Sequence, residues 1–266
     1  MRAADPPLIR TAERAAPHRP SEDRVFRAGE AVVVLDGASQ PDAGGRDGGW
    51  LADTLGREIQ RRLAGDHRDL ADILGEAIAV VALDYALVPG AAPSTTVSIV
   101  RWDDVSVEVL VLGDSPVVAS TVNSEILAVR DDRLRRVAGE QRDQLRASGG
   151  DRADWRALVA AERARRNTPG GYWIAEAAPE AANHACRARW SRADLAAVLA
   201  VTDGVSIGVD RYGVPPDWAA AFEADPADLV RAVHTAEESD PGRRRWPRSK
   251  VHDDKTAALV RFRPAG

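Results

Sequence analysis

The apolar positions of this chain follow two rhythms. Short β-rich runs occur at LIRTAE (8–13), RVF (24–26) and AVVVL (31–35), and again in close succession at TTVSIVRW (95–102), VSVEVLVL (105–112), PVVAST (116–121) and SEILAVR (124–130). Breaks at Asp103-Asp104 and at Val122-Asn123-Ser124 predict a meander of hairpins there. Between the two groups the period changes. Leu51, Leu55, Ile59 and Leu63 recur at helical spacing in GGWLADTLGREIQRRL, with arginines on the other face. A second helix is predicted from Leu70 to Tyr85, stopping before Pro89-Gly90. After a charged, helix-leaning stretch, AAVLAV (196–201) reads as a buried strand, PPDWAAAFEADPADLVRAVHTAEE (215–238) as helical, and KTAALVRF (255–262) as a closing strand. Strands in runs and helices in runs predict an α+β layered fold.

Composition narrows the classes. At 266 residues, 44% hydrophobic and 29% charged, the chain has the make-up of a globular protein with a sizeable core. A net charge of -5 argues against nucleic acid as an obligatory partner. A lone cysteine, Cys186, excludes internal disulfides and cysteine-built zinc sites. The first residues carry no apolar core of a secretory signal, and EAIAVVALDYALV (76–88) is too short and too charged for a membrane span. A cytoplasmic location and no membrane partner are the expectation. Only two of the 36 basic residues are lysines, Lys250 and Lys255, which reads as codon bias.

The candidate chemistry lies where buried runs end on carboxylates. AVVVL runs into Asp36-Gly37, VLVLGDS carries Asp114, LAVTDG carries Asp203, and HDDKTAALV places Asp253 and Asp254 just before a strand. One such aspartate is ordinarily a turn or helix cap. Their recurrence points instead to hard divalent cations, which take oxygen ligands from separate segments. A glycine after Asp36 permits a tight turn and leaves a carbonyl free to ligate.

Taken in order, Glu22-Asp23, VVVLDGA, STTVSIV, VLGDS, VTDG and HDDKTAALV resemble the metal-dependent serine/threonine protein phosphatases of type 2C, the PPM family. The resemblance covers nearly the whole chain, and NTPGGYWIAEAAPEAA (167–182) is similar to what some actinobacterial members carry. It implies an α+β fold, a four-layer α-β-β-α sandwich of two antiparallel sheets flanked by helices. Residues 1–266 would form one phosphatase domain, with a variable flap at about 131–190. It also implies roles for particular residues. Asp36 would bridge two Mn2+ or Mg2+ ions, and the carbonyl of Gly37, with Glu22 and Asp23, would serve the second ion. Asp203 and Asp253 would complete the first site, and Asp114 with Asp203 would form a third. Asp254 would support the ligands from behind.

The implied reaction is hydrolysis of phosphomonoesters, foremost phosphoserine and phosphothreonine on proteins, by a hydroxide bridging two metals. Asp36, Asp203, Asp253 and Arg19 would be its catalytic residues. Where members usually have a phosphate-gripping arginine this chain has His18, with Arg19 beside it. Ala38 stands where eukaryotic members keep a histidine, and Pro116 follows the Gly-Asp-Ser motif in place of arginine. Implied partners are a phosphorylated protein substrate and possible association with a serine/threonine kinase or its target; oligomeric state is left open. Two other readings stay open at this point: a phosphatase of small phosphomonoesters, and a catalytically weak metal-binding regulatory module. His252 could support Asp253 or donate a proton. The basic run GRRRWPRSK (242–250) reads as a solvated loop that could attract a phosphorylated substrate. Trp50, Trp173 and Trp218 read as core or interface residues.

Overall fold

A computed structural model describes residues 5–38, 45–65, 67–148 and 152–262. Among the described residues, ten strands form two antiparallel sheets of five. The first sheet has the order β1 (Leu8–Arg14), β10 (Lys255–Arg261), β9 (Leu195–Val201), β6 (Val117–Thr121), β7 (Ile126–Val129). The second has the order β2 (Asp23–Arg27), β3 (Ala31–Asp36), β4 (Val97–Trp102), β5 (Ser106–Leu112), β8 (Cys186–Ser191).

Three separate apolar cores show how the layers stack. Val32 and Val34 of β3 face Val198 and Ala200 of β9 and Ala258 and Val260 of β10, so one core lies between the sheets. Val33 and Leu35, on the opposite face of β3, pack against α1 (Gly48–Leu63) and α2 (Leu70–Asp84) through Leu51, Leu55, Ile73 and Ile78. Leu199 and Leu259 turn the outer face of the first sheet to α6 (Trp218–Glu223) and α7 (Pro226–Glu238) through Phe222, Leu229 and Val230. The result is a four-layer α-β-β-α sandwich. It explains why AVVVL is continuously apolar: β3 is buried on both faces, so alternation has no polar side to record.

Local chemistry sets the boundaries. Asp47 caps α1 by accepting from the Trp50 amide at 2.8 Å. The stretch 215–238, read as helical, is two helices, because Asp225 caps α7 and Pro226 occupies its first position. The charged region after residue 130 forms α3 (Arg133–Ser148) and α4 (Arg152–Arg163). The flap boundary near residue 190 needs correction. Cys186–Ser191 is strand β8, paired with β5 in the second sheet, so the tail of the expected insertion belongs to the sandwich. Trp50 and Trp218 pack against cores at their edges and Trp173 is buried, stacked on His184.

Candidate metal centre between the sheets

Parity along the strands positions the site. Asp36 continues the Val32 and Val34 face, and Asp23 lies opposite it in register on β2, so both carboxylates sit where the space between the sheets opens. Thr202, at the end of β9, donates to Asp23 Oδ2 at 2.9 Å and ties the two sheets together at this mouth. Asp203 follows at once and opens the short helix α5 (Asp203–Ile207). Asp253 and Asp254 precede β10 on the neighbouring strand.

The backbone at Asp36 is fixed by the STTVS segment. The Asp36 carbonyl accepts from the Thr96 amide and the Thr95 hydroxyl, both at 2.9 Å. Its amide donates to Thr96 Oγ1 at 3.2 Å, and that hydroxyl meets Ser115 Oγ of the Gly-Asp-Ser motif at 2.6 Å. Gly37 donates to the Glu22 carbonyl at 3.2 Å, and Ala38 to that of Ser94 at 2.9 Å. A Cβ at Gly37 would stand 2.4 Å from the backbone of Gly48, so no other residue fits there unless α1 moves. The reading of the loop from Ala38 onward falls mostly on residues 39–44, outside the described residues.

Electrostatics show how close the carboxylates are. Burial, and then the charges of Asp23, Asp203, Asp253 and Asp114, push the Asp36 carboxyl well above the ordinary range. Burial and Asp253 raise Asp203, which shares a hydrogen bond with Asp36. Asp114 is pushed up to about 7 by burial and by Asp203. Asp23, only 1% exposed, is pushed up to about 8, chiefly by burial, with Asp254 and Asp203 adding to it. Its Oδ1 has no hydrogen-bond partner although it is buried. An orphaned carboxylate oxygen inside a cluster of mutually repelling carboxylates fits a hard divalent cation, and the donor set is all oxygen.

Cations of the protein border this cluster. Arg19 donates to Glu22 at 2.8 Å and to Asp254 at 2.9 Å, and lies 3.5 Å from Asp253. Its neighbour His18 is exposed and in the left-handed region, φ 66. Asp254 also accepts from the amides of Ala16 at 2.7 Å and Glu22 at 3.0 Å, anchoring the loop that carries Glu22. The structure thus brings Arg19, Glu22, Asp23, Asp36, Gly37, Asp114, Asp203 and Asp253 to one mouth.

Other participants escape a reading of the sequence. Lys250 Nζ meets Asp253 Oδ1 at 3.1 Å, and Lys255 Nζ donates to the Asp253 carbonyl at 2.8 Å. Both lysines of the chain therefore touch one residue, and their rarity among so many arginines was the signal available. Arg142 of α3 forms two bonds to Glu162 of α4, at 2.5 and 2.6 Å, and its charge lowers both Asp114 and Asp203. His252 joins Glu237 at 3.1 Å and stacks on His234 at 4.3 Å between ring centroids. His234, Glu237 and His252 are grouped closely enough to hold an ion. The Lys255 ammonium 2.5 Å from Glu237 already neutralises that carboxylate and would repel a second cation.

No family model matches the chain, and no curated protein matches it. Solved structures do. Serine/threonine phosphatase Stp1 from Staphylococcus aureus superimposes with a TM-score of 0.61 at 13% identity, covering 99% of this chain and 98% of that one. The PPM Ser-Thr phosphatase MsPP from Mycobacterium smegmatis, solved with cacodylate, gives 0.57 at 18% identity over 96% and 98%. The catalytic domain of the serine threonine protein phosphatase PstP, solved with two manganese ions, gives 0.59 at 13% over 96% and 98%. Identities this low establish architecture: the chain has the fold of the PPM serine/threonine phosphatases and spans nearly the whole of each of these three.

Proposed function

We propose that this protein is a Mn2+- or Mg2+-dependent phosphatase of phosphoserine and phosphothreonine on proteins, built as one phosphatase domain over residues 1–266. The observation that carries the reading is the convergence of Asp36, Asp203, Asp253, Asp114 and Asp23 at the open edge between the sheets, with mutual repulsion that bound cations or protons would relieve. Asp36, Asp203 and Asp253 would hold one ion. Asp36, the Gly37 carbonyl, Glu22 and Asp23 would hold another, and Asp114 with Asp203 a third. When bound, such ions neutralise phosphate oxygens and acidify a water molecule. Arg19 is the phosphate-gripping residue, because its planar guanidinium reaches the cluster while His18 faces solvent. Ala38 has no proton to give a leaving alkoxide. Among the described residues no helix is long and apolar enough to cross a membrane.

Hydrolysis of p-nitrophenyl phosphate and of a phosphothreonine peptide, with Mn2+ and with EDTA, tests this reading in wild type and in the Asp36→Asn and Asp203→Asn variants. Turnover that requires the ion and is lost in both variants is expected. Metal-independent turnover, or wild-type rates in either variant, would refute it. Turnover of the small ester alone would mark a small-molecule phosphatase, and tight Mn2+ binding without turnover a regulatory module.

A further inference from the structure

The loop between α7 and β10 contains the basic run GRRRWPRSK, and its order exceeds what that composition suggests. Asp240, 7% exposed, accepts on Oδ1 from the amides of Arg244 at 2.8 Å and Arg245 at 3.2 Å. On Oδ2 it accepts from the Trp246 amide at 3.0 Å and the Arg248 guanidinium at 2.8 Å. Buried Arg248 donates further to the carbonyls of Glu237, Asp240, Trp246 and Val251. Arg243 adopts a left-handed backbone, φ 53, and its side chain closes the loop onto the carbonyls of Arg248 and Ser249. A non-glycine residue held there costs on the order of 1 kcal/mol, which the surrounding bonds offset.

Two arginines are therefore used to build the loop and two are presented by it. Arg244 and Arg245 are exposed, and neither guanidinium has a carboxylate partner among the described residues. Arg245 lies over the Trp246 ring, 4.3 Å from its centroid. The loop meets the candidate centre at its C-terminal end. Trp246 packs on Tyr212, 4.9 Å between rings, in the helical turn that continues from Asp203, and Lys250 reaches Asp253.

We propose that Arg244 and Arg245 form a docking surface for acidic residues flanking the phosphorylated residue of a protein substrate. This rests on the phosphatase reading and adds a substrate class to it. A chain with net charge -5 repels an acidic peptide, and two exposed guanidiniums with no carboxylate partner among the described residues reverse the field locally. Asp240 fixes the backbone that carries both forks, so pairing with carboxylates orders little beyond the two side chains.

Two phosphothreonine peptides, identical except for Asp/Glu or Ala/Gln flanks, test the proposal. kcat/KM and binding by fluorescence anisotropy are measured for each at 50 and 500 mM NaCl. Wild type is expected to favour the acidic peptide by about tenfold at low salt, as one to two charge-assisted contacts would give. The ratio should approach one at high salt and in Arg244→Ala/Arg245→Ala, and invert in Arg244→Glu/Arg245→Glu. Comparing peptides within each variant separates docking from folding. An unchanged ratio in the double alanine variant overturns the proposal. So does equal Arg244- and Arg245-dependent binding of a single-stranded oligonucleotide, which would mark a non-specific polyanion patch. If wild type with Mn2+ hydrolyses neither peptide nor p-nitrophenyl phosphate, the phosphatase reading fails, while anisotropy still decides the docking surface.

Discussion

Lys255 donates to Glu237 at 2.5 Å in a place where neither side chain meets water, the lysine being 0% and the glutamate 1% exposed. The same ammonium holds the backbone carbonyl of Asp253, and His252 Nδ1 meets the same Glu237 oxygen, Oε2, at 3.1 Å. A buried ion pair between α7 and the start of β10 thus fixes the strand entry on which Asp253 stands. Removing one partner leaves the other charge buried alone, which costs about 3–5 kcal/mol. Glu237→Gln is expected to lose that much stability in urea unfolding. Glu237→Gln/Lys255→Met should recover most of it yet bind Mn2+ at least about tenfold more weakly by calorimetry, because supporting contacts tune ligand geometry. Equal Mn2+ affinity in the double variant would reduce the pair to a packing element.

The acidic cluster makes the metal-free protein less stable as pH rises. Asp23, raised to about 8, and Asp114, raised to about 7, bind protons in the folded state at pH values where the unfolded chain has lost them. Stability therefore falls where the folded state holds more protons, from about pH 4 up through pH 8. In EDTA, chemical denaturation is expected to show a less stable protein at pH 8 than at pH 5.5. Saturating Mn2+ should flatten that slope, contributing about 2.7 kcal/mol at one hundred times its Kd. Asp36→Asn removes a buried carboxyl whose ionisation its neighbours oppose and should stabilise the EDTA-treated protein at pH 7.5, while abolishing turnover.

Gly37 and Gly48 touch backbone to backbone, and a Cβ on either would stand within 2.7 Å of the other segment. Gly37→Ala must push α1 away from the end of β3, moving the Gly37 carbonyl. A loss of about 2 kcal/mol or more is expected in thermal or urea unfolding, with weaker Mn2+ binding. Gly90→Ala is the contrast: its added Cβ meets nothing, so backbone strain alone acts, at φ 80.

How much of this was legible follows from what each signal encodes. The run AVVVL and its terminal Asp36-Gly37 predicted a strand buried on both faces, and two cores meet there. The ordered acidic motifs, compared with a known family, predicted which segments meet. Periodicity could not show that Glu237 and Lys255, 18 residues apart, would pair, because a lone buried charge looks like a solvated one until its partner is placed. Strand β8 was missed for another reason. CRARWS alternates cleanly, with Arg187 and Arg189 exposed, but it lies within a window whose arginines and alanines lean helical. Arg142 reads as one more charge on a solvated helix, and only the fold turns it toward Asp114 and Asp203.

Arg19 offers the most direct test of how the mouth recognises phosphate. Its guanidinium spans Glu22 and Asp254 and lies 3.5 Å from Asp253, so it is held by carboxylates on two sides of the cluster. A phosphate arriving at the centre meets the same guanidinium from the open side, and each charge-assisted bond contributes roughly 1.5–3 kcal/mol. Arg19→Ala is expected to raise KM for p-nitrophenyl phosphate by about 10- to 100-fold, the equivalent of about one such contact. Arg19→Lys keeps the charge but not the fork, and should recover only part of the loss. His18→Ala changes an exposed residue with no contact to the cluster and should leave KM unaltered. Steady-state kinetics on the three variants, at saturating Mn2+, separates these outcomes. A KM shift in His18→Ala larger than in Arg19→Ala would assign the grip to the histidine, where the type 2C pattern places it.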